Sequence, residues 1–473
     1  MERKIISMNK KSELVKNTFI ILMGKVCTQF LSYFLLPLYT SCLNSEEYGI
    51  VDLITTYVTL LVPIITLQLE MGIFRELIDA RNDELKQKFI ITSGFFSIIY
   101  QFSFCLIIYL LLVNIIEIPF SIYILFCIIC TMFSNLFLQI SRGFGDNIGY
   151  SIASMIAGVS TIFFNIVFIL GLNLKIEGML LSTTLGNLMA IVYLFFKNRL
   201  YMYINFHDYS KKINIKLLRY SIPLVPNGLI WWIINVSDRT LITFFIGAAA
   251  NGVYAISNKF SNILIQIYNV FNLSWTESAS LHINEKDKDS FFTDTFNDVF
   301  KIFGSICILL LSVMPFLFEI LIDLSYREAY YYIPILLLGT LSNIIVSFIG
   351  SIYVGKKMTK QVATTSLWAG ILNILINIVL IKQIGVYAAA ISTVLAFTIM
   401  SLYRIIDVQK YVKLKLESKN LIFIIILYSF TCCFYYLANK NLCIIWLILM
   451  IVLMLGFNYK FVKFFLRKLK IIK

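Results

Sequence analysis

The sequence predicts an all-α integral membrane protein of about fourteen spanning helices, with two six-helix lobes around a central cavity and a helix pair at the C-terminus. Three observations predict this. Of 473 residues, 59% are hydrophobic and only 14% charged, against roughly 45–50% and about 25% in an average soluble domain. Apolar runs of about 20 residues, enough to cross a bilayer's hydrocarbon core, recur from end to end. Lys and Arg sit in short clusters on alternate connections between those runs.

The runs read as spans at 17–41, 49–68, 89–113, 118–140, 149–171, 178–196, 221–245, 252–275, 296–322, 332–353, 362–381, 386–405, 420–437 and 442–459. Arg3, Lys4, Lys10, Lys11 and Lys16 precede the first run. That run is longer than the apolar core of about 7–15 residues in a cleaved signal, so it reads as a retained helix. Connections on the N-terminal side carry 32 Lys and Arg, and those on the other side carry 4. The positive-inside rule then places both termini in the cytoplasm. The outer connections are very short, as at 114–117 and 247–251, and Glu46 and Glu47 read as solvated loop residues. The longest inner loops, 69–88, 197–220 and 276–295, are too small for a catalytic domain.

An internal repeat divides the array. Phe164-Asn165-Ile166-Val167-Phe168-Ile169 recurs as Ile376-Asn377-Ile378-Val379-Leu380-Ile381. A Ser-Thr pair follows each run, Ser182-Thr183 and Ser392-Thr393. Glu47-Tyr48-Gly49 opens the second span, and Gly252-Val253-Tyr254 opens the eighth. The matches give lobes at 1–210 and 211–418, then a helix pair with a basic tail at 419–473. Both lobes run in the same direction, which makes the repeat parallel, a pattern found in transporters.

Several chemistries are excluded. The net charge of +14 is spread between apolar runs, so it reads as membrane orientation rather than nucleic-acid binding. Cys127 and Cys130 form a CxxC inside an apolar run and read as small apolar residues of a helix. His207 and His282 are the only two histidines, too few for a His/Cys metal set. No Gly-rich phosphate loop ends in Lys-Ser/Thr, so no P-loop nucleotide site is expected. No Ser/His/Asp grouping points to an enzyme, and no cofactor is expected.

Buried charges are the informative residues, since one at mid-bilayer costs about 2.5–3.5 kcal/mol. Lys25 lies about 12 Å into the first span at about 1.5 Å per residue. It either lines an inward cavity or snorkels to the headgroups. Asp238 and Arg239 are neighbours in the seventh span and point about 100° apart, so they cannot pair side by side. Lys259 of the eighth span is one partner for Asp238, which would leave Arg239 for a cavity. The alternative for all three is an interhelical structural network. Glu70 and Arg75 close the second span, Arg142 closes the fourth, and Asp52 lies near the outer end of the second. Asn165 and Asn377 read as interhelical hydrogen-bonding residues, worth about 0.5–2 kcal/mol each. Pro223 and Pro226 open the seventh span and interrupt its backbone ladder.

The motifs taken in order resemble a known family. Residues 37–49, from Pro37 to Gly49, are similar to the junction of the first two helices in Wzx-type polysaccharide flippases. Leu217 to Pro226 resembles the start of their seventh helix. Ser237-Asp238-Arg239, Gly252-Val253-Tyr254 and Asn258-Lys259 resemble their next pair. Tyr326 to Pro334, then Asn373, Asn377 and Gly385, continue the series. The resemblance implies translocation of an undecaprenyl-diphosphate-linked oligosaccharide across the bacterial cytoplasmic membrane for O-antigen, capsule or exopolysaccharide synthesis. It implies alternating access coupled to an ion gradient, a monomer, and polymerase or glycosyltransferase partners. Lys25, Arg239, Lys259, Arg75 and Arg142 are then candidates for a cationic cavity wall. Asp238, Glu70 and Asp52 are candidates for ion coupling. A multidrug exporter or a peptidoglycan-precursor flippase of the same superfamily is the alternative.

Overall fold

The computed structural model describes residues 33–115, 117–459, 461 and 463, and the regular structure among them is helical. Lys25 lies outside the described residues. The chain divides into two compact units, Met1–Trp232 and Ile233–Lys473.

In the first unit, α1 (Leu36–Cys42) leads into α2 (Ser45–Ile65) through a capping box. The Asn44 side chain accepts from Glu47 N at 2.8 Å, and Glu47 Oε2 accepts from Asn44 N at 2.9 Å. Glu47 Oε1 also meets Lys175 Nζ at 2.7 Å. Glu47 is therefore a helix cap, not the solvated loop residue that its charge suggests. Leu67 and Gln68 adopt left-handed φ of 49° and 53° and end the helix. The chain restarts as α3 (Leu69–Asp79), and Gln68 Nε2 donates to Leu224 O at 3.2 Å.

α4 (Glu84–Ile115), α5 (Ser121–Gly143), α6 (Asn147–Asn165) and α7 (Ile176–Lys197) follow. A π-helical stretch, Ile166–Gly171, extends α6 directly after Asn165. The amphipathic α8 (Lys211–Ser221) packs on α3 and α4, and the boundary between the units falls inside α9 (Leu224–Phe245).

The second unit continues with α10 (Ala248–His282), α11 (Lys288–Leu321), α12 (Ala329–Gly355), α13 (Thr359–Ile384) and α14 (Tyr387–Val408). Its last helices, α15 (Ser418–Leu437) and α16 (Lys440–Phe457), both pack on α11. One pairing pattern recurs in each unit taken alone. In the first, α3 packs on α5, α5 on α7 and α6 on α7; in the second, α10 packs on α12, α12 on α14 and α13 on α14.

Among the described residues, eleven helices are long and apolar enough to cross a membrane. The seventh and eighth expected spans are α9 and α10, which are 22 and 35 residues long and lie outside those eleven. Side chains such as Phe163, Val379, Ile445 and Val452 are exposed, as a hydrocarbon solvent allows.

The stretches expected as long inner loops are largely helical. Residues 69–79 form α3, 211–221 form α8, and α10 runs on to His282, five residues short of α11. The reason is amphipathicity. α3 buries Leu69, Ile73 and Leu77 at helical spacing while Arg75 and Asp79 face outward. Charges there end the apolar run without ending the helix.

Candidate functional site

Asp238 is the focus of the second unit. It lies on α9, is 4% exposed, and is held by three neutral donors. Asn377 Nδ2 of α13 donates to Oδ1 at 2.8 Å. Thr393 Oγ1 of α14 donates to Oδ2 at 2.7 Å, and Tyr254 Oη of α10 donates to Oδ2 at 3.0 Å. Neutral side chains thus meet both carboxylate oxygens, and among the described residues no ion pair joins Asp238 to Lys259. The carboxylate draws on dipoles from three other helices.

A second layer fixes those donors. Asn373 Nδ2 donates to Thr393 Oγ1 at 3.1 Å, and Ser237 Oγ donates to Asn373 Oδ1 at 3.3 Å. Asn258 Nδ2 donates to Tyr254 O at 3.2 Å. Helical spacing explains the convergence. Asn373 and Asn377 stand four residues apart on one face of α13, opposite Ser392 and Thr393 at the start of α14.

Asn377 is fully buried, and its Oδ1 has no hydrogen-bond partner among the described residues. Turning that amide over would place a second buried oxygen against the carboxylate. With Thr393 Oγ1 and Tyr254 Oη, the nest then offers hard oxygen donors around one negative charge. That set suits a small monovalent cation or a proton.

The other candidates are dispersed. Glu70 is 7% exposed at the start of α3, directly after the α2–α3 break, and its Oε2 has no partner among the described residues. Arg75 pairs with Asp79 at 2.7 Å across an exposed turn, which makes it a surface ion pair. Arg142 donates to Gln139 Oε1 at 3.0 Å and lies over the Phe74 ring at 4.7 Å. Asp52 is half-buried on α2, and Arg239 and Lys259 are half-buried on α9 and α10. Asn165 donates to Thr161 O of its own helix at 2.7 Å, so it is not the interhelical tie expected of it. A mid-helix amide can satisfy its donor on the carbonyl four residues back.

One buried cation escaped sequence reasoning. Arg404 of α14 is 1% exposed, and its acceptors are neutral. They are Val346 O at 2.9 Å, Val362 O at 3.1 Å, Thr365 Oγ1 at 2.6 Å and Ser366 Oγ at 3.1 Å. The side chain ties α14 to both α12 and α13, the helices that carry the Asp238 nest or pack beside it. Its place near the end of an apolar run put it among the cytoplasmic basic residues.

The profile of the family described as polysaccharide biosynthesis protein matches residues 14–275, more than half of the chain. The chain belongs to that family. No curated protein matches its sequence. As a member of the polysaccharide biosynthesis family it shares its fold with solved transporters. The lipid II flippase MurJ, in an inward closed conformation, aligns with a TM-score of 0.66 at 17% identity, covering 95% of this chain and 99% of that one. An inward-facing multidrug resistance MATE transporter of the MOP superfamily aligns at 0.63 and 12% identity, covering 85% and 96%. A mutant of the MATE transporter VcmN of Vibrio cholerae aligns at 0.55 and 15% identity, covering 84% and 96%. At these identities the likeness establishes the fold. This family member is a multi-pass membrane protein with a transporter fold.

Proposed function

We propose that this chain is a flippase. It moves undecaprenyl-diphosphate-linked oligosaccharide units across the bacterial cytoplasmic membrane, with both termini in the cytoplasm, and couples that movement to a cation gradient at Asp238. The observation that carries the reading is the Asp238 nest, a buried carboxylate held by neutral donors in a polysaccharide-biosynthesis protein of transporter fold. Neutralising Asp238 with a proton or Na+ removes a large desolvation penalty. Releasing that cation restores the penalty, so occupancy can bias one conformation over another. Arg239 and Lys259, half-buried on the two helices that carry Asp238 and Tyr254, would meet the diphosphate.

The test is the fate of the lipid-linked unit in cells. Cells lacking the protein should accumulate it on the cytoplasmic leaflet and lose surface glycan, and Asp238→Asn should reproduce this at normal protein levels. Unchanged surface glycan with altered drug efflux would replace the reading with a multidrug exporter. Rates in vesicles under an imposed Na+ or pH gradient separate the two cations.

A further inference from the structure

We propose that one face of α10 is a contact track for a neutral, hydroxyl-rich oligosaccharide, formed by Asn262, Gln266 and Asn269 between Lys259 and Ser280. The proposal rests on the flippase reading and names the surface that the glycan meets.

Lys259, Asn262, Gln266, Asn269, Glu277 and Ser280 fall within an arc of about 80° at about 100° per residue. From Lys259 to Ser280 the arc rises about 31 Å, matching a hydrocarbon core of about 30 Å. Asn269, Glu277 and Ser280 are exposed, and Lys259, Asn262 and Gln266 are half-buried. Gln266 Oε1 is buried without a partner among the described residues. Toward its C-terminal end α10 borders an open depression of about 570 Å³ lined by Asn272, Thr276, Glu277, Ser280 and Leu281.

Neighbouring polar residues show what a structural role looks like on this helix. Tyr268 Oη and Ser351 Oγ donate to Asn272 Oδ1 at 3.2 and 3.1 Å, and Trp275 Nε1 donates to Phe348 O at 3.1 Å. Thr276 Oγ1 lies 2.8 Å from Ser351 Oγ. These polar groups are satisfied by α12 and by α10 itself. On the arc itself Asn269 is exposed and Gln266 Oε1 lacks a partner among the described residues, and a lipid contact would leave such amides unsatisfied.

Each primary amide offers a carbonyl acceptor and two N–H donors, which match the adjacent hydroxyls of a sugar. The positions between Lys259 and Glu277 carry no charge, so the track fits neutral sugars better than an acidic chain. Several weak amide contacts in series let a cargo enter without trapping it, as multi-site conduction requires.

The experiment uses the full-length protein in detergent and in vesicles. Saturation-transfer NMR with maltohexaose, a soluble neutral hexasaccharide, should show binding to the wild type. The Gln266→Leu/Asn269→Leu double variant should lose at least ten-fold in signal, and the Gln266→Asn/Asn269→Gln variant should retain it. Leu favours insertion, so membrane levels should not fall. In vesicles the Leu variant should slow flipping of an undecaprenyl diphosphate bearing an oligosaccharide at least ten-fold. Flipping of one bearing a single sugar should change less than two-fold. Absence of maltohexaose binding to the wild type, or equal binding and flipping by the Leu variant, overturns the track. A wild type that binds the hexasaccharide through these residues yet moves no lipid-linked glycan supports the track and removes the flippase reading alone.

Discussion

Asn377 Nδ2 donates to Asp238 Oδ1 at 2.8 Å, joining α13 to α9 through a buried carboxylate. A charged acceptor makes that bond worth about 1.5–3 kcal/mol. Asn377→Leu should therefore lower stability by about 2 kcal/mol in the native background. In an Asp238→Asn background the loss should shrink to under about 1 kcal/mol, because a neutral amide replaces the charged acceptor. A double-mutant cycle on the purified protein in detergent measures the difference. Equal losses in both backgrounds would mean that the two side chains are not coupled.

The C-terminal pair is fastened by tyrosines. Tyr330 Oη donates to Tyr435 O at 3.0 Å, Tyr435 Oη donates to Tyr330 O at 2.7 Å, and the rings stack at 4.0 Å. Tyr436 Oη reaches Tyr331 O at 2.8 Å in the same style. Each hydroxyl should contribute about 1 kcal/mol. Tyr330→Phe/Tyr435→Phe should keep the stack and lose about 2 kcal/mol, whereas Tyr435→Ala should lose about 3–5 kcal/mol by emptying the ring's site as well. Thermal unfolding in detergent, scored against Tyr436→Phe, gives the order.

The sequence showed the spans because hydrocarbon imposes a period and length that few other structures share. It also singled out Asp238, Tyr254, Asn377 and Thr393, for a buried charge, a repeat or a resemblance and not for one shared site. Their convergence was hidden, because charge-pair logic looks for Lys259 and cannot see that three neutral dipoles suffice. The track proposed on α10 was not legible, because Asn262, Gln266 and Asn269 are uncharged residues inside an expected span. Glu277, Glu285, Lys286, Asp287 and Lys288 lower the local hydropathy, which made 276–295 look like a loop although α10 runs on to His282. Asn165 and Asn377 are equivalent in the repeat, yet Asn165 bonds its own helix and Asn377 bonds a carboxylate. A repeat reveals shared backbone, and the partner at each site decides the role.

Arg404 tests whether a buried cation here is architectural. Its fork reaches acceptors on two neighbouring helices, which a Lys ammonium cannot span with the same geometry. Arg404→Ala should cost about 3–5 kcal/mol through lost charge-assisted bonds and a cavity. Arg404→Lys should recover less than half of that. Both variants should keep the cation dependence of whatever transport survives. A shift in ion dependence instead of in stability would assign Arg404 to coupling.

Close helix approach sets the last expectation. A Cβ on Gly186 of α7 would overlap Thr161 Oγ1 and come within 2.7 Å of Ala157 O on α6. Glycine thus lets the two backbones meet, a common device between membrane helices. Because one obstacle is a backbone oxygen, α6 must move to accept a methyl group. Gly186→Ala should cost about 1–3 kcal/mol by overpacking. Adding Thr161→Ala should restore only part of it, since the Ala157 carbonyl stays in place. Full rescue by that second change would show that the side-chain overlap alone requires the glycine.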